Sequence, residues 1–497
     1  MQETYLAFDL GAESGRGILA EFDGDKIKLD DGKRFSTAGS ITEANRDGVH
    51  RWDISRIAAE MAEVLQASEA ESAKPLSGVA IDTWGVDFGL VSGRGSLLEN
   101  PVWYRDHSHN RAMAETLTRI SKEDLWKRSG IQLLPFNTLF QLVARRSRDA
   151  GLLERAQKLL FMPDLLSDNL ITGSLSASEL TIASTSQMLD PLTHQWNVDL
   201  LSAVDLPTHM LQPIVSPATT AGHTAAGTPV YFAPGHDTAS AVAAVPADYR
   251  KNWAYISSGT WSLVGVERKR PELSLRAFEL GLSNEIGVEG VTRLLKNIMG
   301  LWLVQESRRS LLKQGQTYGY EELTALASAA PCDGPIINAA DQRFLAPSDM
   351  PAEIRQSCAE TGQVAPATVG ELIRCSLDSL ALAYRTTLRD LERLLNIRFD
   401  VLHIVGGGSK NEFLNQLAAD ACGIPVIAGP SEATAAGNVL SQLVASGAVA
   451  NWAEARQVCL RSFAPQTYLP SPGSAQEWLE REAKFLKKTE GTVKVGN

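Results

Sequence analysis

Asp237 stands in APGHDTASAVAAV (233–245), after a Gly-His pair and before the small residues Thr238, Ala239, Ser240 and Ala241. A carboxylate there suits two roles. As a helix cap it accepts hydrogen bonds from free N–H groups at the start of the Ala-rich segment. As a base on a glycine-preceded turn it takes a proton from a substrate hydroxyl, with small neighbours leaving room for the substrate.

A second candidate is DLGAESGRG (9–17). It reads as a turn between two strands, and successive N–H groups in such a turn can form an anion-binding nest. Ser14, Gly15 and Arg16 would then meet phosphate oxygens. Asp9, at the end of the first strand, offers a hard carboxylate for Mg²⁺, directly or through water. SSGTWS, at 257–262, repeats the arrangement. One such turn from each half of the chain would hold a triphosphate between them. IVGGGSKN places three glycines, Gly406–Gly408, between an apolar strand and a helix. A plain βα turn rarely needs three, whereas close backbone approach to a nucleotide excludes Cβ atoms. The spacing is not GxGxxG, so a dinucleotide fold is disfavoured. GPSEATAAGN (429–438) reads equally as an adenine wall or as a helix start capped by Ser431 and Glu432.

Aromatic, Arg and Asp residues mix in DTWGVDF (82–88) and PVWYRD (101–106). They suit a sugar, with its apolar C–H faces and polar edges, though Trp84 and Trp103 also suit a core. LLKNIMGLWLVQE (294–306) reads as a mostly buried helix, with Asn297 and Gln305 as its unusual polar members.

The elements that carry these residues follow α/β grammar. Tyr5–Asp9 and Gly17–Phe22 read as paired strands, as do Ala254–Ser257 and Leu263–Glu267. Leu377, Leu380, Tyr384, Leu388, Leu391 and Leu395 recur at helical spacing just before the strand that leads into the triple glycine. The expected division is residues 1–246 and 247–470, with a C-terminal helix and tail over 471–497. The boundary falls in the polar VPADYRKN, and the final KKTEGTVKVGN reads as frayed.

The 497 residues are too many for one core. A net charge of −11 argues against nucleic acid or anionic membrane as a partner. Five scattered cysteines form neither a disulfide framework nor a metal spacing, and buried free thiols are expected, Cys358 and Cys375 included. No basic-then-apolar leader and no bilayer-length apolar run is visible, so a cytoplasmic chain is expected.

Together, Asp9–Arg16, the Asp237 turn, the Ser257–Ser262 hairpin, the triple glycine and EATAAGN resemble the FGGY family of carbohydrate kinases, over roughly Tyr5 to Phe463. The resemblance implies an α/β fold of two actin-like (ribonuclease-H-like) domains flanking a catalytic cleft, the first sugar-binding and the second nucleotide-binding. IDTWGVDF, YRD, SGIQLLPFNTLFQL, MPD, SSGTWSL and LKNIMGLWL are similar to segments of members acting on L-rhamnulose. They imply phosphorylation of that sugar at its primary C1 hydroxyl in L-rhamnose catabolism, with ATP as donor and Mg²⁺ as cofactor. A kinase for L-fuculose, D-xylulose or glycerol, or a non-enzymatic sugar sensor, would share the fold. By resemblance Asp237 is the catalytic base. Gly85, His236, Asp237, Thr238 and Asn297 contact the sugar. Ala12, Glu13, Ser14, Gly15, Arg16, Thr260, Gln305 and Gly407 contact ATP. Glu13 stands where the family often has Ser, which leaves a backbone contact at that position. The expected partners are a small sugar and MgATP, in a monomer or small homo-oligomer.

Overall fold

The computed structural model describes residues 2–42, 48–72 and 74–490. They fold into two compact units, and neither unit is continuous in sequence. The first comprises Met1–Pro246, Glu267–Leu295 and Glu432–Ala464; the second comprises Ala247–Val266, Lys296–Ser431 and Pro465–Asn497. One of the breaks between them, Pro246/Ala247, falls at the boundary expected from the sequence, and the others lie within the stretches expected to be continuous. Packing, not chain order, decides the division. The helix Ala433–Ser446 lies on the first unit's sheet, where Gln442 donates to the Leu6 carbonyl (3.0 Å) and Ser441 to that of Phe232 (3.2 Å).

The first unit is built on a seven-stranded sheet. Its main order is Thr219–His223, Pro229–Phe232, Gly78–Thr83, Glu3–Leu10, Gly15–Phe22 and Ile27–Leu29, and Lys33–Phe35 also pairs with Gly15–Phe22. Glu3–Leu10 and Gly15–Phe22 form the expected hairpin, closed by Gly11 N–H donating to the Ser14 carbonyl (3.0 Å). Glu3–Leu10 runs parallel to Gly78–Thr83, and so does Pro229–Phe232. Parallel strands are covered on both faces, which is why Tyr5–Phe8 and Val79–Ile81 are continuous apolar runs with almost no exposure. The helix Ile54–Glu71 covers part of this sheet with Ile57, Met61 and Val64, and Asp53 caps it by accepting from Arg56 N–H.

The second unit orders its strands Trp261–Arg268, Trp253–Ser258, Val401–Val405, Val426–Ala428 and Gln466–Tyr468. Trp253–Ser258 forms the expected hairpin with Trp261–Arg268 and runs parallel to Val401–Val405. The long helix Val369–Leu395 begins in a Thr368/Glu371 capping box and ends at Asn396 in the left-handed region. Leu377, Leu380, Tyr384, Leu388 and Leu391 are buried on it, as their spacing predicts.

LLKNIMGLWLVQE is not one helix. Thr292–Met299 is a strand, and the helix begins at Trp302. Gly300 separates them because the chain runs against the SSGTWS turn. A Cβ on Gly300 would lie 2.5 Å from the Trp261 carbonyl carbon, and Leu301 N–H donates to the Gly259 carbonyl (3.0 Å). At the C-terminus the helix Ser474–Glu490 includes Lys487 and Lys488, and 491–497 lie outside the described residues. All five cysteines are free, with Cys358 and Cys375 buried beside one another. No helix among the described residues is long and apolar enough to cross a membrane.

Candidate active site

Asp237 follows the strand Pro229–Phe232 by one tight turn, and that turn is tied down from three sides. Thr83 N–H donates to the Gly235 carbonyl (2.9 Å). Gly235 N–H donates to the buried carboxylate of Glu179 (2.9 Å), and His236 N–H to the Thr181 hydroxyl (3.3 Å). The helix begins at Asp237 itself, with His236 in the cap position and no side-chain capping bond. The cap expected of Asp237 is therefore absent. Apart from the bond it accepts from the Thr238 N–H, a carboxylate in the first turn without that role has its oxygens available for chemistry. Its side chain is 28% exposed. Burial raises its pKa to about 6, with the His236 charge opposing and Asp9 adding to the rise. A carboxyl tuned that close to neutrality is a fitting general base.

Three other expected sugar contacts surround it. His236 Nε2 lies 3.4 Å from Asp237 Oδ1, and the Thr238 hydroxyl lies 3.1 Å from His236 Nδ1. Gly85 has its open side toward His236, where a Cβ would sit 3.4 Å from Nε2 and 3.3 Å from Thr185 Oγ1. Trp84 is mostly core. Its indole packs at a tilt against Trp52, ring centres 4.3 Å apart, and donates to Asp87 Oδ2 (2.9 Å). Trp103 packs edge-on against His50 and Tyr104.

At the carboxyl ends of the parallel strands Asp9 stands in register with Asp82. That edge is where open α/β sheets bind ligands. Arg16 changes the picture expected of the first turn. Gly15 and Arg16 are strand residues paired with Leu10 and Asp9, so the loop itself is Gly11–Ser14. A Cβ on Gly15 would press on Leu10 and Phe35, which makes it a packing glycine. The Arg16 guanidinium lies between Asp9 (2.7 Å) and Glu432 (2.6 Å). The nest expected from Ser14, Gly15 and Arg16 thus shrinks to the Gly11–Ser14 turn, which holds Ala12 and Glu13. Glu432 engages Arg16 and makes no capping bond, so the cap expected at Ser431 and Glu432 is also absent. Gly437 in the same helix lets it approach its neighbour, because a Cβ there would fall on the Ser240 carbonyl oxygen.

Among the described residues no group of three or more His, Cys, Asp or Glu could hold a metal ion. Two carboxylates nevertheless fit Mg²⁺, which is commonly held by one or two and keeps its waters. Asp82 Oδ1 is buried without a hydrogen-bond partner, while Asn438 donates to Oδ2 (2.7 Å). Burial, and then the Asp9 charge, push the Asp82 carboxyl well above the usual range. Burial also raises Asp9, against the opposing charge of Arg16.

In the second unit Thr260, at the hairpin turn, donates to Gln305 Oε1 (3.3 Å). Asn297 lies on the strand Thr292–Met299. The three glycines separate into two kinds. Gly406 has a φ of +85° and Gly408 lies on Ser258, where a Cβ would collide with Oγ. Gly407 meets nothing within 4 Å. Two glycines serve the fold, and the one between them leaves backbone open to a ligand.

Glu285, Arg293 and Thr185 of the site were not singled out in the sequence, and Asp82 was read only as part of a sugar-facing segment. Glu285 and Arg293 are buried against His236 and Thr238, Thr185 lies against Gly85, and Asp82 stands beside Asp9. Of these only Asp82 carries a local signal, an acid inside the apolar strand GVAIDT.

Two α/β units, one with a tuned carboxylate at the ends of parallel strands and one with an open glycine turn, make up the architecture. Solved structures share it. Gluconate kinase from Lactobacillus acidophilus superposes with a TM-score of 0.80 at 13% identity, over 99% of this chain and 98% of that one. Plasmodium falciparum glycerol kinase with ADP gives 0.79 at 15%, again over 99% and 98%. At such identities the likeness is one of fold. The chain belongs to the FGGY family of carbohydrate kinases, whose N-terminal domain matches residues 4–239 and whose C-terminal domain matches 254–446. It is therefore an enzyme, a sugar kinase. Among its relatives, a rhamnulokinase of Bacteroides thetaiotaomicron is 41% identical, covering 96% of this chain and 97% of that one. Rhamnulokinases of Pectobacterium carotovorum (40%, 97% and 96%) and Enterococcus faecalis (39%, 95% and 95%) are similar over the same extent.

Proposed function

We propose that the chain transfers the γ-phosphoryl group of ATP to the C1 hydroxyl of L-rhamnulose, giving L-rhamnulose 1-phosphate and ADP in L-rhamnose catabolism. The observation that carries this is similarity to rhamnulokinases across nearly the whole of both chains. The geometry around Asp237 supports it. Asp237, with its carboxyl near pH 6, accepts the C1 hydroxyl proton as the new oxygen–phosphorus bond forms and the bond to the leaving ADP oxygen breaks. His236, Thr238, Gly85 and Asn297 hold the sugar so that this hydroxyl points at Asp237. The Gly11–Ser14 turn, through backbone groups of Ala12, Glu13 and Ser14, together with Thr260, Gln305 and Gly407, holds ATP. Gly15 and Arg16 shape that turn, and Arg16 keeps Asp9 in place. Asp9 and Asp82 would hold Mg²⁺, which when bound offsets phosphate charge. The use of ATP supports a cytoplasmic location.

ADP release is measured with a panel of sugars at matched concentrations, and NMR locates the phosphate on the product. L-rhamnulose should give the highest kcat/KM. L-fuculose and L-xylulose should be weaker and glycerol barely active, because a misplaced hydroxyl leaves buried polar groups unpaired. A preference for D-xylulose or glycerol overturns the substrate, and phosphate on any carbon but C1 overturns the placement.

A further inference from the structure

The strands Ser283–Ile286 and Thr292–Met299 pair antiparallel and set Glu285 opposite Arg293. Their side chains form a buried layer behind the Asp237 turn. Arg293 is fully buried and Glu285 is 7% exposed. Arg293 Nη2 donates to Glu285 Oε2 (2.9 Å), and Nη1 donates to the Thr238 hydroxyl (3.1 Å). The same Glu285 oxygen lies 3.2 Å from His236 Nδ1. These donors and acceptors are not interchangeable. Burial pushes the Glu285 carboxyl up, but the His236 hydrogen bond and the Arg293 charge outweigh it and hold it below its ordinary value. An ionised carboxylate only accepts, so the ring nitrogen hydrogen-bonded to it at 3.2 Å carries a proton, whereas the 3.4 Å approach of Nε2 to Asp237 makes no such bond. Two other groups lie near Nδ1: Arg293 Nη2 at 3.3 Å, which donates at the shorter 2.9 Å to Glu285, and the Thr238 hydroxyl oxygen at 3.1 Å, which can share the Nδ1 hydrogen.

We infer that Glu285 and Arg293 are positioning residues for phosphoryl transfer. Glu285 fixes the His236 proton on Nδ1, and Arg293 fixes the Thr238 hydroxyl by occupying its acceptor side. In the neutral ring Nε2 is then the accepting nitrogen; the Thr238 hydroxyl lies 3.2 Å from it, and Asp237 Oδ1 lies farther, at 3.4 Å, on the side where Gly85 leaves room. Nε2 accepts from a sugar hydroxyl next to the one that Asp237 deprotonates. The Thr238 hydroxyl, its oxygen already receiving from Arg293, has its hydrogen to donate, to Nε2 in the free protein and to the sugar once a sugar hydroxyl donates to Nε2. The ligand this arrangement selects carries a hydrogen-bond donor on the carbon beside the attacking hydroxyl, as the hemiketal form of a ketose does. The inference rests on reading Asp237, His236 and Thr238 as the sugar-facing group.

The first test is long-range ¹H–¹⁵N correlation of the ¹⁵N-histidine-labelled full chain without ligand, at a pH where the ring is neutral. A His236→Gln sample assigns the signal. The wild type should show the Nδ1–H tautomer, and an Nε2–H signal overturns the inference whatever sugar the enzyme uses. The second test is Glu285→Gln, which keeps the shape but can offer either an acceptor or a donor to Nδ1. Its spectrum should show mixed tautomers. With L-rhamnulose the sugar KM should rise on the order of tenfold while the ATP KM holds. An unchanged tautomer with an unchanged sugar KM overturns the inference. If this variant fails to fold, the wild-type spectrum alone decides.

Discussion

At residue scale Asp237 combines two effects that pull against each other. Its carboxyl is raised to about 6, chiefly by burial, so the folded chain favours the protonated form more than the unfolded chain does. Such a group contributes stability below the unfolded value near 4 that is lost as pH rises through about 6. At neutral pH the ionised base destabilises the fold it serves. Asp237→Asn should therefore melt at a higher temperature than wild type at pH 7.5, with the difference closing below pH 4. Its turnover should fall ~10²–10⁴-fold. Calorimetry and an ADP-release assay on the same samples check both, and wild-type turnover in the variant would remove the base. The wild-type profile of kcat/KM for the sugar should lose activity on the acid side with a midpoint near 6, because only the ionised carboxylate accepts the proton. A midpoint near 4 would show that the buried environment does not tune this group. Asp237 and Asp9 were legible in the sequence because each closes an apolar run next to glycine. Glu285 and Arg293 were not, since partners some 50 residues away supply their role and no local pattern announces it.

At the scale of elements the glycine turns separate fold from function. Gly407→Val puts a side chain where the protein has no atom within 4 Å. The expected outcome is weaker ATP binding by calorimetric titration, with sugar affinity and melting temperature held. Gly408→Ala presses on Ser258 and should lower stability by about 1–3 kcal/mol in urea titration. If Gly407→Val loses stability as Gly408→Ala does, the open turn is only structural. The two hairpins and the Val369–Leu395 helix could be read from their periods. LLKNIMGLWLVQE could not, because its apolar residues fit a strand period before Gly300 and a helix period after it. What sets the break is the approach of Gly300 to another turn, which is a tertiary fact.

At the scale of the whole molecule the sequence suggested one cut near Pro246, and the compact units need more than one. Composition could not show this, since 267–295 and 432–464 look like any other α/β segments. Their part in the first unit is nonetheless extensive. Ala433–Ser446 covers the central strands, and Asn284 joins Gly130 through a 3.0 Å side-chain bond. A fragment ending at 246 should therefore lack fixed tertiary structure, with strong dye binding and little near-ultraviolet circular dichroism. A fragment of that length that melts cooperatively would contradict this.

The interleaving also bears on how the chain is made. A ribosome delivers the first strands early, but the helix that covers them comes only after residue 433 has emerged. At roughly 5–20 residues per second the stretch from 247 to 464 takes roughly ten to forty seconds to synthesise. For that interval the nascent sheet carries an apolar face with nothing native to cover it. A chaperone that binds apolar strands would find its target there, in the first unit rather than the second.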